Sequence, residues 1–209
     1  MLVILAPNDL KEELLAQKPV SDVAIQWIDE PSQFPDYKEA DGYIDLGFDH
    51  STHRIDILKQ LPARPVIISS VAGTLSGLPR HFIRINGWRS FLKRAVVEAA
   101  GTDEATRKKA ESIFTEFGKT IAWTPDVMGF ISARVVAMVI NEAYFSLLED
   151  VSSREAMDTA MKLGTNYPYG PFEWSRVIGI GHVAGLLRLL AVDETRYQPC
   201  SLLEKEESL

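Results

Sequence analysis

The sequence predicts a two-part chain, in which an α/β unit with a mainly parallel sheet precedes an all-α unit. In the first half, short apolar runs alternate with helical patterns, which is typical of βα units. The second half shows helical periodicity with one short apolar run near its start. The turn Thr124-Pro-Asp126 separates the two patterns, so we predict domains at 1–123 and 124–209.

The strands predicted for the first half are short and almost wholly apolar. Helical patterns lie at 10–16, after the first of these runs, and at 55–61, after the third. The five predicted strands are 2–5, 23–28, 43–46, 65–69 and 81–85.

Helix-end signals organise the middle of the chain. Thr102 is a predicted N-cap for a helix over 103–117, which Gly118 would close. Residues 120–123 could form a short strand, and a long helix is expected at 129–150.

Further caps define the C-terminal helices. Ser152 and Glu155 have the spacing of a capping box, in which each side chain satisfies a free backbone donor. Gly164 is the predicted end of that helix. Pro171 suits a first helical position, where its missing N–H costs nothing. Two further helices are expected at 172–178 and 182–190.

Composition narrows the class of protein. The 209 residues carry a net charge of −7, which argues against a nucleic-acid partner. Cys200 is the single cysteine and there is no Cys/His cluster with zinc spacing, so we expect no metal and a reducing cytoplasm. The apolar run 2–6 is too short for a signal peptide or a membrane span. The longer run 130–148 contains charged residues, which favours a buried or interface helix.

Three spaced motifs in the second half resemble one family. They are Asp126-Val-Met-Gly-Phe-Ile131 followed by Arg134, Asp158-Thr-Ala-Met-Lys-Leu-Gly164, and Gly170-Pro-Phe-Glu173. In this order they are similar to the C-terminal domain of 3-hydroxyacyl-CoA dehydrogenases, over about residues 99–203. Met128 stands where the family pattern has proline.

The resemblance implies a Rossmann-like NAD-binding domain followed by a helical domain that forms a homodimer. It also implies NAD-dependent oxidation of a 3-hydroxyacyl-CoA in fatty-acid metabolism. The first half is shorter than the family's first domain. The family's cofactor and catalytic positions can be tested one by one against this sequence.

The cofactor positions are degenerate. A dinucleotide-binding loop needs glycines so that the backbone can approach the pyrophosphate. The segment after the first strand, residues 5–11, contains none, and Asp9 would repel phosphate. Asp29, at the end of the second strand, corresponds to the family's ribose-binding acid. A turn or helix-cap role, which needs no ligand, is the favoured explanation of Asp29, and a ribose contact is the alternative.

The catalytic base is also missing. Glu98 matches the family's orienting glutamate, and the position twelve residues earlier, where the family has histidine, is Asn86. Asparagine cannot accept the hydroxyl proton. His81 could replace it only through a shift in register, and otherwise it is a strand-end histidine. Glu98 alone could be a solvated carboxylate.

Two further family positions lack the polar side chain that the family has there. The family's asparagine corresponds to Ala133, and its active-site serine falls near Ala72 or Gly73. Ser69 and Ser70 are close to the serine position but out of register.

Other local patterns have ordinary explanations. The glycines in 179–185 fit a helix junction, with His182 as a cap or surface residue. The pair Asp49-His50 with His53 could suggest a metal site, but no third ligand is in view, so a loop is the better interpretation. The basic and aromatic segment 88–94 could meet a CoA phosphate or be a solvated turn.

Three functions stay open on sequence alone. The chain could be a relative of the dehydrogenases that has lost hydride transfer but still binds acyl-CoA. It could be a divergent active enzyme with a non-standard cofactor loop. It could also be a structural module that dimerises through the long helix, whose apolar positions Ile131, Val135, Met138 and Val139 recur at helical spacing.

Overall fold

The computed structural model describes residues 1–17 and 23–208. The chain divides into two compact units, Met1–Phe130 and Ile131–Leu209. The predicted domain boundary at Thr124 stays a prediction.

The first unit is built on a seven-stranded sheet with strand order β2-β1-β3-β4-β5-β6-β7. Strands β1 to β5 are parallel, β6 runs antiparallel to β5, and β7 is parallel to β6. The strands are β1 Leu2–Leu5, β2 Ile25–Ile28, β3 Gly42–Asp45, β4 Val66–Ser69, β5 Phe82–Ile85, β6 Val96–Gly101 and β7 Thr120–Trp123. The fold class predicted from the sequence is therefore confirmed for this unit.

Two apolar layers cover the faces of this sheet. Successive strand residues point to opposite faces, so Val3 packs into one core and Ile4 into the other. The same alternation separates Ile67 from Ile68. Three α-helices belong to the unit: α1 Asn8–Leu14, α2 Thr52–Lys59 and α3 Glu104–Glu116.

The N-cap of α3 differs by one residue from the prediction. The N-cap is Asp103, whose carboxylate accepts from the backbone N–H of Thr106 at 2.8 Å, so the prediction of Thr102 was wrong. Gly118 follows the helix at φ +67°, a conformation that glycine adopts without strain, as predicted.

The second unit is helical, which confirms the second half of the predicted fold. Its helices are α4 Ser132–Leu148, α5 Arg154–Thr165, α6 Pro171–Ile178, α7 Ile180–Ala191 and α8 Ser201–Glu207. Among the described residues, no helix combines the length and the apolar character that crossing a membrane requires.

Two cap predictions for α5 need correction. Ser153, and not Ser152, caps its start by accepting from the Ala156 N–H. The helix continues through Gly164 and ends at Asn166, which takes the left-handed conformation at φ 57°. Asparagine tolerates that conformation better than other non-glycine residues, which explains the later end. Pro171 opens α6 as predicted.

Candidate functional site

The candidate site lies at the carboxyl ends of the parallel strands. In open α/β sheets, ligands bind outside these ends, at the point where the strand order reverses. Here the order reverses beside β1, whose neighbours are β2 and β3. Strands β1, β3, β4 and β5 each deliver polar or loop residues to this edge.

Asn86 and Glu98, which the resemblance aligns with the family's histidine and its orienting glutamate, meet at this edge. Asn86 directly follows β5, and its backbone N–H donates to the Glu98 carbonyl at 2.9 Å. Its side-chain Nδ2 donates to Glu98 Oε2, also at 2.9 Å. Asn86 is only 2% exposed. The carboxylate therefore has a neutral amide beside it where the family resemblance implies an imidazole.

The turn between β1 and α1 does not fit a dinucleotide phosphate. Pro7 is the N-cap of α1, so this position offers no backbone N–H to an anion. No side chain caps the helix start. The turn has no glycine that would let a pyrophosphate approach the backbone.

An ion pair occupies the first turn of α1. The Asp9 carboxylate binds the Arg89 guanidinium. Partial burial of Asp9 opposes ionisation, but Arg89 outweighs it and holds the pKa of Asp9 below its usual value. Glu13, one turn later, accepts from the backbone N–H groups of Ser90 at 2.6 Å and Lys93 at 3.2 Å. The basic segment 88–94 is thus bound to acidic side chains of α1.

Asp29 lies at the end of β2, as predicted, and is exposed. Its backbone N–H donates to Gln33 Oε1 at 2.9 Å. The Gln33 side chain also accepts from the Glu30 N–H at 3.0 Å, so it caps the turn that follows β2. This geometry fits the turn role of Asp29, and its role as a ribose contact stays a prediction.

A serine–histidine pair was missed by the sequence reading. His50, just beyond β3, has its Nε2 3.1 Å from Ser70 Oγ, just beyond β4. Ser70 is 2% exposed. Burial lowers the pKa of His50, with Arg84 acting in the same direction and Asp49 against it. The sequence showed only that both residues follow predicted strands, since it did not predict which strands are neighbours.

The remaining histidine candidates do not follow the carboxyl end of a parallel strand. His81 precedes β5 and therefore sits at the opposite end of that strand from Asn86. His182 lies in the first turn of α7 of the second unit, near the helix junction predicted at 179–185. Within residues 1–17 and 23–208, no three metal-ligating side chains lie close enough together to hold a metal ion. Asp49, His50 and His53 therefore do not form such a group.

Ala133 lies in α4 and is fully buried. Its methyl group has no hydrogen-bonding capacity, so it cannot do what an asparagine would do at this position. Ala72 and Gly73 lie in the loop after β4, as expected, and Gly73 borders the His50 ring.

The second unit carries an apolar groove of about 660 Å³ between α4 and α5. Val135, Met138 and Val139 line it from α4, and Met157 and Met161 line it from α5. Charged side chains also line it, at Arg134 and Glu142. Three of the four dimer positions proposed from the sequence, Val135, Met138 and Val139, therefore line this groove, and Ile131 does not.

Comparison with known proteins identifies the second unit. Residues 129–206 match the family model for the 3-hydroxyacyl-CoA dehydrogenase C-terminal domain. The chain is 43% identical over 113 residues to a 3-hydroxyadipyl-CoA dehydrogenase of Escherichia coli, a match that covers 53% of this chain and 24% of that protein. It is 35% identical over 132 residues to a 3-hydroxybutyryl-CoA dehydrogenase of Bradyrhizobium diazoefficiens, covering 61% and 45% of the two chains.

Solved structures show the same fold over nearly the whole chain. The (S)-3-hydroxybutyryl-CoA dehydrogenase of Ralstonia eutropha aligns with 98% of this chain and 92% of its own, with a TM-score of 0.75. The two sequences are 19% identical, so this likeness concerns the fold alone.

The matches to the curated relatives span less than half of each relative's length. Within that span, the family model covers the three motifs from Gly129 onward. The family recognised from those motifs is confirmed for this part of the chain, since residues 129–206 match the 3-hydroxyacyl-CoA dehydrogenase C-terminal domain and the relatives that share it are named as dehydrogenases of that family.

Proposed function

We propose that the chain is a 3-hydroxyacyl-CoA dehydrogenase relative that binds an acyl-CoA in the cytoplasm but does not catalyse NAD-dependent hydride transfer. The observation that carries this proposal is the Asn86–Glu98 hydrogen bond. It puts an amide at the position that the resemblance assigns to the catalytic base.

Oxidation of a hydroxyl group to a ketone releases a proton as well as a hydride. The proton needs a base close to it, and a carboxamide is not one at neutral pH. Glu98 is bonded to Asn86 and has no imidazole to orient. Ala133 removes a second polar group from the family's set.

The turn between β1 and α1 also supports the loss of NAD-dependent hydride transfer. A glycine-rich loop would receive the pyrophosphate at the start of α1. In this chain that position holds Pro7 and the ion pair between Asp9 and Arg89. A carboxylate at the helix start repels phosphate, and its arginine partner is already paired. NAD therefore has no standard phosphate site here, and we assign it no role.

Acyl-CoA binding rests on the family. The relatives are named dehydrogenases of 3-hydroxyadipyl-CoA and 3-hydroxybutyryl-CoA, and we transfer the ligand class, not the chain length. A divergent but active dehydrogenase is the alternative. The position of Asp29 at the end of β2, where a ribose contact would lie, favours that alternative.

We also propose that the partner of the second unit is another copy of this chain. Arg134, Met138 and Glu142 are four residues apart on α4, and all three line the apolar groove. In an antiparallel pairing about a two-fold axis at Met138, Arg134 of each copy meets Glu142 of the other. The exposed apolar side chain of Val135, 50% accessible, would then be covered.

A ligand panel tests the proposed function. A ligand that binds only the folded state raises the melting temperature. We expect CoA and acetoacetyl-CoA to raise it, and NAD and NADH to leave it unchanged. A clear shift with NAD(H) would favour the active-enzyme alternative, and no shift with either CoA compound would contradict acyl-CoA binding.

A further inference from the structure

The His50 ring is positioned by contacts with Phe48 and Ser70 near the carboxyl ends of β3 and β4. Its backbone is left-handed, at φ 62°. The ring packs edge-to-face on Phe48, with centroids 4.7 Å apart, and its Nε2 lies 3.1 Å from Ser70 Oγ. A non-glycine residue in this backbone region is uncommon and often marks a functional position.

Gly73 leaves one nitrogen of the ring uncovered. A Cβ at position 73 would overlap His50 Cε1 and lie 3.0 Å from Nδ1. Any larger residue would therefore push the imidazole away or cover Nδ1. The residue His50 is exposed, whereas its partner Ser70 is buried. The ring thus has an anchored side and an open side.

The anchored side adjoins the Asn86 position. The backbone N–H of Ser70 donates to the Ile85 carbonyl at 3.2 Å, one residue before Asn86. Ser69 packs so closely on Gly87 that a Cβ at Gly87 would overlap its hydroxyl oxygen. The His50–Ser70 pair and the Asn86–Glu98 pair therefore border the neighbouring strands β4 and β5.

We propose that His50 is a proton-transfer group of this edge, positioned by Ser70, and that it removes the α-proton of a bound 3-oxoacyl thioester. The proposal rests on the acyl-CoA class proposed above. In the tautomer that we assign to His50, Nε2–H donates to Ser70 Oγ, so Nδ1 carries the lone pair and accepts the proton. Ser70 acts through His50 and is a positioning residue.

The step needs no oxidant and no cofactor. The C–H bond between the two carbonyl groups breaks, its proton bonds to Nδ1, and the electron pair moves into a carbonyl as an enolate. Return of a proton from the imidazolium restores the thioester. A neutral imidazole suits this role, and burial favours the neutral form by lowering the pKa of His50. The charged groups near the ring are Arg84, which acts in the same direction, and Asp49, which opposes it.

Deuterium uptake tests the step directly. The protein is mixed with acetoacetyl-CoA in D₂O, and the label at the carbon between the carbonyls is followed by mass spectrometry against a buffer control. We expect exchange at least about tenfold above buffer, since general-base catalysis commonly contributes on the order of a hundredfold or more. His50→Asn, which tolerates the left-handed backbone, should return the rate to the buffer value. His53→Asn, on the exposed face of α2, should exchange like the wild type.

A second readout separates positioning from a merely structural role. In ¹⁵N spectra of the imidazoles, we expect His50 to carry its proton on Nε2, and Ser70→Ala to abolish that preference and move the midpoint of the exchange–pH profile. Unchanged spectra and profile in Ser70→Ala would overturn the role of Ser70.

Calorimetric titration with acetoacetyl-CoA distinguishes failure of the proposed role of His50 from failure of the proposed acyl-CoA binding. Binding with exchange at the buffer rate, or full exchange in His50→Asn, overturns this inference and leaves acyl-CoA binding intact. Absence of binding overturns both the inference and the proposed ligand class.

Discussion

The Asn86 amide, directly after β5, donates to Oε2 of Glu98 in β6 over 2.9 Å. The amide satisfies the carboxylate as an imidazole would, but it cannot exchange a proton with a substrate. The geometry of an acid–base pair is therefore present without its chemistry. The first prediction asks whether restoring the imidazole is enough.

Asn86→His should not create dehydrogenase activity. The new imidazole would lie beside Glu98, but the β1–α1 turn would still lack a phosphate site. The larger ring at a buried position should cost about 1–3 kcal/mol of stability. NADH oxidation with acetoacetyl-CoA measures the outcome, with Asn86→His/Glu98→Gln as the matched control. Activity that depends on Glu98 would show that the cofactor binds after all.

Arg84→Met should destabilise the first unit strongly. Arg84 is fully buried, and its guanidinium donates to Asp126 at 2.5 Å, Val127 O at 2.5 Å and Ser70 O at 3.0 Å. Removing one partner of such a buried pair costs about 3–5 kcal/mol. Urea denaturation measures the free energy of unfolding.

The control for Arg84 is Arg89→Met, which breaks the pair with Asp9 at the surface. Pairs between exposed side chains contribute at most about 1 kcal/mol. Equal losses in the two variants would contradict a structural role for the Arg84 hydrogen bonds.

Lys119 should make the free energy of unfolding increase with pH in the alkaline range. It is 1% exposed, and its Nζ donates to the carbonyls of Glu13, Leu92 and Arg94. Burial lowers the pKa of Lys119 from 10.5 to about 8. Between these values the unfolded chain binds the additional proton, so the free energy of unfolding rises with pH, by up to about 1.4 kcal/mol per unit.

Lys119→Met removes this contribution. Other groups titrate in the same range, so the quantity to compare is the difference in slope between the variant and the wild type. The wild type should show the more positive slope from about pH 8 to 10.5. Parallel curves would rule out a depressed pKa for Lys119.

Glu142→Arg should separate the proposed dimer into monomers. At the two-fold axis it would place arginines opposite each other, and like charges across an interface are repulsive. Arg134→Glu combined with Glu142→Arg should restore the dimer. Glu149→Arg, at the C-terminal end of α4 and outside the groove, is the control. Light scattering gives the molar mass, and a monomeric wild-type protein would contradict the proposed dimer.

Strong apolar runs made much of the fold predictable. The five parallel strands and β7 were all expected, since buried strands need continuous apolar residues. β6 was missed because Val96–Gly101 contains Glu98 and small residues, and its antiparallel pairing with β5 is a long-range choice. Local propensity does not encode such a choice.

The candidate site was predictable only where the family supplied a spacing. The twelve-residue spacing aligned Asn86 and Glu98 with the family's histidine and glutamate, and the β5–β6 register brings the two residues into contact. The His50–Ser70 contact has no local signal, since it depends on β3 and β4 being neighbours and on Gly73 admitting the ring. Such contacts arise from strand order, which the sequence pattern alone leaves open.

The central claim is that the chain keeps the family's fold without its hydride transfer. Its most direct test is the oxidation of NADH by the purified wild-type protein with saturating acetoacetyl-CoA, beside an active 3-hydroxybutyryl-CoA dehydrogenase. We predict no oxidation above the rate without protein. Turnover at roughly 1 s⁻¹ or more, which is ordinary for enzymes, would contradict the claim.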